Sequence, residues 1–537
     1  MRMRLQLGAL ALMLAVTLAG TAGGATRADL REGGIFRVAL FGLDYVDPAL
    51  AYSLGGWSLL DTTCARLMAY PDKPVPEGLR LVPEVAADFP TMSRNGKTHT
   101  FKLRSGFRFS DGTPVRASAF ARAINRTLAP GVETAAAQYT GDIVGAADVQ
   151  AGKTQSAAGV TARGNTLVVR FTRPVVNFPA MTTMPFFCAV PPSLPSDPEG
   201  VGAFPSAGPY VVTEYRPGER VTIRRNPFYR GTRPHHVDGF DVDIRATGSA
   251  DVLDRVERGD ADWGATGGPD YFAPGLDLAS KHGVNKSRFF VLPGLVLSHI
   301  NFNASRPLFR NNVALRRAVN FALNRRALTR AATNTPLAYR LTDQYIPPSL
   351  PGFKDADIYP LERPNLARAR ALARGNLRGG KAVLYSRNDP QALAAAQAAR
   401  QQLAAIGLDV ELRPLPPPAL FSRIYLPGEP WDLLLINWAS DFVDPFQFIN
   451  VLFDPQFALS GNIGRFNSAL FTSRMREAAR RQGAERYRAY GELDVQLARN
   501  AAPSAPITFF NEATLVSERV GCVVLRPTLD LTAVCLK

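Results

Sequence analysis

The chain has 537 residues, of which 46% are hydrophobic and 20% are charged, and its formal net charge is +16. This composition is ordinary for a globular protein and excludes wholesale disorder, while the length allows two or three domains. The charge raises the question of nucleic acid, but the arginines are scattered and no finger, phosphate loop or RNA-recognition motif accompanies them. We therefore predict no nucleic-acid partner.

The first 28 residues have the three parts of a secretory signal peptide. Arg2 and Arg4 precede the apolar run "LQLGALALMLAVTLAG", and small residues follow up to Ala28. A run of about 15 apolar residues is short for a membrane span of ~20, so a signal peptide over 1–28 is favoured over a membrane anchor. The first cysteine is Cys64, which argues against a lipoprotein. We predict an exported mature chain that is soluble after cleavage.

The strands and helices predicted for the first half of the mature chain are short and mixed. In order, they are a strand in "GGIFRVALFG", a helix in "GGWSLLDTTCARLMAY", a hairpin-like segment in "HTFKLRSGFRFSDGTPV", a helix in "RASAFARAINRTL", a strand in "NTLVVRFTRP", two strands in "GPYVVTEYRPGERVTIRR" and a helix in "ADVLDRVERGD". The two strands of the sixth segment flank the turn residues Pro217 and Gly218.

The pattern changes after Pro293. A strand in "SHINFN" precedes a long helix that begins near Asn312. "KAVLYSRNDPQALAAAQAARQQLAAIGLDVELRPL" predicts a strand–helix–strand unit with parallel strands, and "WDLLLINW" predicts another buried strand of the same sheet. A helix in "GAERYRAYGELDVQLARN" and two strands, "APITFF" and "ATLVSERVG", follow. We expect a mixed α/β protein with boundaries near residues 290–298 and 500–506.

The four cysteines are compatible with an oxidising compartment but too few to build a disulfide scaffold. Cys522 and Cys535 flank "VVLRPTLDLTAV", a spacing that permits a two-stranded hairpin closed by a disulfide. Cys64 and Cys188 would then be the remaining pair, although four cysteines permit three connectivities.

Six segments, taken in register, resemble a known family. They are "LVPEVAADF" (81–89), "FKLRSGFRFSDGTPVRASAFARAINR" (101–126), "SAGPYVV" (206–212), "NFNASRPLFRNNVALRRAVNFALNRR" (301–326), "YIPPSLPGF" (345–353) and "WDLLLINWASDFVDP" (431–445). Together they resemble the solute-binding proteins of ATP-binding-cassette (ABC) transporters, specifically the dipeptide/oligopeptide-binding family, family 5. Ser105, Ser118-Ala119 and Asn324 depart from the residues usual in that family.

The resemblance implies an α/β, two-lobed fold of the type II periplasmic-binding-protein (Venus-flytrap) kind, which closes on its ligand about a hinge. The first lobe would be discontinuous, with an extra inserted subdomain. The expected boundaries are 29–70, 200–292 and 505–537 for lobe I, 71–199 for the inserted subdomain and 293–504 for lobe II.

The stretch "NWASDFVDPF" supplies the main candidate for ligand binding. The resemblance places Asp441, three residues after Trp438, where relatives hold the α-ammonium of a peptide. A carboxylate in a closed, partly dry cleft attracts a cation strongly, and Trp438 and Phe442 are expected to wall that cleft. The alternative is that Asp441 is only a cap or turn residue. For Asp444, the turn role is favoured because Pro445 follows it.

Other candidates are weaker. Tyr45 and Asp47, in "LDYVDPALAY", and the segment "MPFFCAVP" (184–191) resemble the family's cleft-edge segments and are candidates for lining the pocket. The run "LLLIN" lacks the arginine that some oligopeptide binders use for a ligand carboxylate. Neither His235 nor His236 has a further ligand at metal-site spacing, so no metal is expected.

These observations predict a monomeric, non-enzymatic solute-binding subunit of an ABC importer, periplasmic or otherwise extracytoplasmic. It would capture peptides or peptide-like solutes between its lobes, without a cofactor, and deliver them to membrane permease subunits. One alternative is a binder of a non-peptide cationic or metal-chelate solute. The other is a secreted hydrolase that uses Asp441 and Asp444 as a carboxylate pair.

Overall fold

The structure is a computed structural model that describes residues 31–265, 275–333, 335–458, 460–526 and 529–537. The predicted signal peptide, 1–28, lies outside the described residues. Within those ranges, none of the helices has both the length and the apolar character that a membrane crossing requires.

The strands of the described chain are β1 (Ile35–Leu40), β2 (Met68–Ala69), β3 (Val82–Pro83), β4 (Thr91–Met92), β5 (Thr98–Lys102), β6 (Val160–Arg163), β7 (Thr166–Arg170), β8 (Tyr210–Arg216), β9 (Arg220–Arg225), β10 (Gly239–Asp243), β11 (Trp263–Ala265), β12 (Phe289–Phe302), β13 (Tyr339–Leu341), β14 (Lys381–Arg387), β15 (Asp409–Leu415), β16 (Leu433–Ala439), β17 (Ser504–Leu515), β18 (Val520–Cys522) and β19 (Cys535–Leu536). The α-helices are α1 (Leu54–Thr63), α2 (Ala117–Arg126), α3 (Ala137–Thr140), α4 (Ala146–Gln150), α5 (Phe178–Met181), α6 (Ser249–Arg258), α7 (Gly275–His282), α8 (Val313–Ala322), α9 (Arg325–Ala332), α10 (Leu366–Ala373), α11 (Pro390–Ala404), α12 (Pro417–Ile424), α13 (Phe446–Phe453), α14 (Ala469–Arg480) and α15 (Gly483–Gln496).

The sheet of the first lobe has five strands in the order β11-β1-β10-β9-β8. Strand β1 lies between β11 and β10 and is parallel to both, and β8 and β9 form the hairpin predicted around Pro217 and Gly218. Alternate residues such as Val38 and Ile223 are fully buried, so the apolar face of this sheet forms a core. The predicted helix in "ADVLDRVERGD" is α6, which ends at Arg258 because Gly259 adopts the left-handed conformation that terminates helices.

A second sheet has six strands in the order β13-β17-β12-β16-β14-β15. The predicted strand–helix–strand unit is confirmed, since β14 and β15 are parallel and α11 connects them. The predicted strand in "WDLLLINW" is confirmed as β16, which is parallel to β14 and antiparallel to β12. The predicted long helix is instead two helices, because Asn324 caps α9 directly after α8.

Two long strands connect the lobes. β12 and β17 are antiparallel along most of their length, and the far end of β17 meets the five-stranded sheet through a bridge between Trp263 and Val516. Two strands were predicted where the single strand β17 runs, because the polar residues Asn511 and Glu512 interrupt the apolar pattern. The lobe boundaries given above stay a prediction.

A four-stranded sheet, β4-β5-β7-β6, packs beside α2 within the region predicted to be inserted. The hairpin-like prediction for residues 99–115 is wrong. β5 pairs with β7, whose register brings Phe101 opposite Leu167, and residues 103–114 form only isolated bridges. The alternating phenylalanines are buried because the segment lies on the core, not because it is a hairpin.

Two disulfides are present. Cys522 and Cys535 are opposite each other in the β18–β19 hairpin and are bonded. Cys64, directly after α1, is bonded to Cys188 in the segment 184–191.

Candidate functional site

The loop after β16 carries the main candidate residues and brings them together. β16 ends at Ala439, the loop 440–444 follows, and α13 begins after Pro445. Trp438 is half-buried, Asp441 is mostly buried and Phe442 is fully buried. This arrangement follows from the sequence, because the apolar run "LLLI" buries the first half of β16 in the sheet and the polar residues Ser440 and Asp441 follow its last residue, Ala439.

Asp441 joins residues from distant parts of the chain. The Tyr52 hydroxyl donates a hydrogen bond to Asp441 Oδ1 at 2.7 Å, and the Tyr139 hydroxyl donates one to Oδ2. No ion pair to Asp441 is found among the residues that the structure describes. Asp441 is thus a carboxylate that accepts two phenol hydrogen bonds and forms no ion pair within the described ranges.

Burial controls the acidity of this group. Loss of water around Asp441 raises the pKa of its carboxyl, and the two tyrosine hydrogen bonds oppose that rise without cancelling it. The pKa values of Tyr52 and Tyr139 are also raised, first by burial and then by the negative charge of Asp441. Both phenols therefore remain donors at neutral pH.

Aromatic rings hold the two tyrosines in place. Phe186 is stacked with Tyr52 at a centroid distance of 6.1 Å and with Tyr139 at 6.3 Å, and Trp57 meets Phe186 edge-on at 5.7 Å. Phe442 contacts Tyr139 edge-on at 6.4 Å. The segment 184–191 therefore contacts the site through Phe186, which packs against both tyrosines.

Two cavities meet at Asp441. The larger, which we call the cleft cavity, has a volume of about 560 Å³ and lies along the end of β16, between Tyr52 and Trp57 on one side and α12 on the other. The smaller, which we call the side cavity, has a volume of about 380 Å³ and lies against α13. Four residues line both of them: Gln138, Trp438, Asp441 and Ser460. Volumes of this size suit small-molecule ligands.

The cleft cavity also contains an unpaired strand edge. β16 pairs with β12 along its whole length, but with β14 only at Leu433 and Leu434. The Ser440 N–H donates to Leu295 O at 3.2 Å, so the alternation of an antiparallel ladder directs the main-chain groups of Asn437 and Ala439 to the opposite edge. Both residues are exposed and line the cleft cavity.

The structure places the remaining candidates elsewhere. Asp47 is 1% exposed and forms two hydrogen bonds with the Arg126 guanidinium, at 2.8 and 2.5 Å, so its carboxylate is turned away from the cleft. Tyr45 is half-buried against the Cys64–Cys188 disulfide.

Asp444 accepts a hydrogen bond from the Phe446 N–H at 2.8 Å and pairs with Arg486 at 2.8 Å. It therefore shapes the turn before α13. Its partners therefore differ from those of Asp441.

The two histidines considered for metal binding are not brought together with other ligands. His235 Nδ1 lies 3.0 Å from Arg233 O, and His236 Nδ1 lies 3.0 Å from Glu32. Across the described ranges, no group of three or more His, Cys, Asp or Glu residues is arranged to hold a metal ion.

Tyr52 and Tyr139 belong to the candidate site through their hydrogen bonds to Asp441 and were not predicted from the sequence. Tyr52 lies in the quoted loop "LDYVDPALAY", so attention to that loop's second tyrosine would have found it. Tyr139 lies on the four-residue helix α3, where no motif marks it.

The profile of "Bacterial extracellular solute-binding proteins, family 5 Middle" matches residues 80–459. The chain belongs to this family. Among curated relatives, this family 5 protein is 26% identical over 451 residues to the "Probable deoxycholate-binding periplasmic protein YgiS" of Escherichia coli (strain K12), a match that covers 79% of each chain. It is 25% identical over 460 residues to the "Periplasmic oligopeptide-binding protein OppA" of the same organism, which covers 82% of this chain and 81% of the relative.

Solved structures agree on the fold. The family 5 protein superimposes on "Clavulanic acid biosynthesis oligopeptide binding protein 2" with a TM-score of 0.82 at 24% identity, covering 94% of this chain and 96% of that one. Its TM-score against the unliganded open form of the murein tripeptide binding protein MppA is 0.74 at 20% identity, with 95% and 99% covered. The two-lobed fold expected from the sequence is confirmed.

Proposed function

We propose that this family 5 protein is the extracytoplasmic binding subunit of an ABC importer that captures peptides, or peptide-like solutes with a free amino group, in the cleft cavity. It would deliver them unchanged to the membrane permease. The observation that carries the proposal is the Asp441 carboxylate, mostly buried beside the cleft cavity, with no cation against it among the described residues.

The charge of Asp441 supports an ammonium-bearing ligand. Burial raises the carboxyl pKa, which means that the ionised form lacks stabilisation in the unliganded protein. An ionised carboxylate has about four acceptor positions, and the two phenols occupy two of them. A ligand ammonium can take the rest and supply the missing positive charge.

The edge of β16 supports a peptide main chain next to that ammonium. An extended peptide adds to an unpaired strand edge through main-chain hydrogen bonds, which do not depend on its side chains. The groups of Asn437 and Ala439 point to that edge, and Asp441 follows two residues later. A peptide bound there would have its amino terminus near Asp441. A non-peptide cation would use Asp441 but leave this edge unused.

Relatives named as oligopeptide-binding proteins support the same ligand class. The proposal also includes a monomer without a nucleic-acid partner, export by the signal peptide 1–28, and the lobe boundaries given above. Periplasmic location is the setting in which the curated relatives are named.

Mass spectrometry of small molecules released when the purified protein is denatured tests the proposal. We expect co-purified peptides with free amino termini. Release of only non-peptide molecules, together with no heat of binding for a mixed tripeptide library, would contradict it. Peptides that are cleaved reproducibly on incubation would favour the hydrolase instead.

A further inference from the structure

The side cavity has polar walls that the ammonium site does not explain. One wall is α13, which contributes Gln447 and Asn450 one turn apart, and the facing wall contributes Asn177. These three side chains are 1%, 1% and 5% exposed, respectively. A cavity of about 380 Å³ has room for roughly a dozen waters, each of which takes about 30 Å³ in the liquid. It is therefore large enough for a ligand group.

Most of the unpartnered polar atoms in these walls are donors. Asn177 Nδ2 and Asn450 Nδ2 have no hydrogen-bond partner within the described ranges, nor does Trp438 Nε1. The Tyr490 hydroxyl donates to Asn450 Oδ1 at 2.8 Å, which leaves the Asn450 amide nitrogen for another acceptor. Gln447 Oε1 is the unpartnered acceptor. Since buried polar groups are nearly always paired, these donors indicate an acceptor-rich occupant.

The charges around the side cavity also favour an occupant that is rich in hydrogen-bond acceptors. Three arginines line it, and two of them already face carboxylates: Arg173 pairs with Asp142, and Arg476 pairs with the fully buried Asp454 at 3.2 Å. The third, Arg480, is exposed at the end of α14 and has no ion pair within the part of the chain that the structure describes. Among the described residues, two unpaired charges therefore line this cavity: Asp441, whose charge the ligand ammonium would balance, and Arg480, whose positive charge is left for an anionic group.

The two cavities share Trp438 and Asp441, so a peptide with its ammonium at Asp441 would place its first side chain at the entrance of the side cavity. We propose that the side cavity is a subsite for a carboxylate, and that the protein prefers peptides whose first residue is Asp or Glu. This inference rests on the proposed function. The carboxylate would accept hydrogen bonds from Asn177 and Asn450 and face Arg480.

Calorimetric titration with amidated tripeptides tests the subsite without interference from a terminal carboxylate. The probes are Glu-Ala-Ala, Gln-Ala-Ala and Ala-Glu-Ala, each with a free amino terminus and a C-terminal amide. Hydrogen bonds to charged groups are the stronger ones, so we expect the first peptide to bind roughly ten- to a hundredfold more tightly than the other two. Arg480→Gln should remove most of that preference.

Arg481→Gln is the matched control, because this neighbouring exposed arginine pairs with Glu477 and does not line the side cavity. It should keep the full preference. Asn450→Leu, which removes the buried donor, should reduce the preference as well, and a thermal melt checks that the variant is folded.

Equal affinity for the Glu and Gln peptides would overturn the subsite while leaving the proposed function intact. A preference for Ala-Glu-Ala would place the carboxylate elsewhere and also overturn it. A preference that survives both Arg480→Gln and Asn450→Leu would overturn the proposal that Arg480 and Asn450 bind the ligand carboxylate. If no free-amine peptide bound at all, the proposed function would fail together with the inference.

Discussion

Replacing Asp441 by Asn removes one charge with little change in shape. An ammonium about 3 Å from a carboxylate gains roughly 5–6 kcal/mol at an effective dielectric constant of about 20. Part of this gain is offset because the ammonium must lose water. Since Asp441 is mostly buried and unpaired, we expect the variant to lose ~2–5 kcal/mol of binding free energy for a free-amine peptide. That loss is about 30- to 4,000-fold in Kd.

Calorimetry with a peptide and its N-acetylated form separates the charge pair from general damage to the site. Acetylation removes the ammonium, so the acetylated peptide should bind the Asp441→Asn variant and the parent protein about equally. The two changes together should cost little more than either one alone, which is the mark of a direct interaction. The reasoning is refuted if the free-amine peptide binds the variant as tightly as the parent, or if both peptides weaken equally.

The acidity of Asp441, the free edge of β16 and the buried Asp47–Arg126 pair can each be tested as well. Affinity for free-amine peptides should fall as the pH falls through the raised pKa of Asp441, at a higher pH than an exposed aspartate with its ordinary pKa of about 3.9 would allow, and the Asp441→Asn variant should lack this acid limb in a titration series. Tyr139→Phe removes one donor that lowers that pKa, so the acid limb should move to higher pH; an unmoved limb would contradict the assignment. Methylating the ligand's main-chain nitrogens one at a time should weaken binding at alternate positions by roughly tenfold, whereas uniform effects would exclude strand addition at β16. Asp47→Ala leaves buried Arg126 unpaired and should cost about 3–5 kcal/mol of stability in thermal or denaturant unfolding, whereas Asp260→Ala in the exposed Arg258 pair should change little.

The sequence predicted the fold best where a pattern was local. The strand–helix–strand unit before Leu415 follows from apolar runs, an Asp-Pro start and the turn at Gly407, all within 35 residues. The pairing of β5 with β7 could not be predicted in the same way. It depends on strands whose paired residues are 64 to 72 positions apart in sequence, and Phe107 and Phe109 suggested a nearer partner.

In the candidate site, too, contacts between residues that are distant in sequence could not be predicted. Asp441, Trp438 and Phe442 lie within five residues, so a motif could mark them, and the structure places all three around the side cavity. The phenols that bind Asp441 come from positions 389 and 302 residues away in sequence. Asp47 failed as a candidate for the converse reason. Its partner Arg126 lies 79 residues later, and that pairing turned a polar loop residue inward.

The strands β12 and β17, which connect the lobes, also link the proposed ligand site to the connection between the lobes. β16 is hydrogen-bonded to β12 over seven residue pairs, and β12 to β17 over eleven. A peptide that binds the free edge of β16 would therefore become an additional strand of the sheet that already contains both connecting strands, β12 and β17. Occupancy would stiffen the joint itself through main-chain hydrogen bonds, whatever side chains the peptide carries. Different bound peptides would then produce the same conformation for a permease to bind.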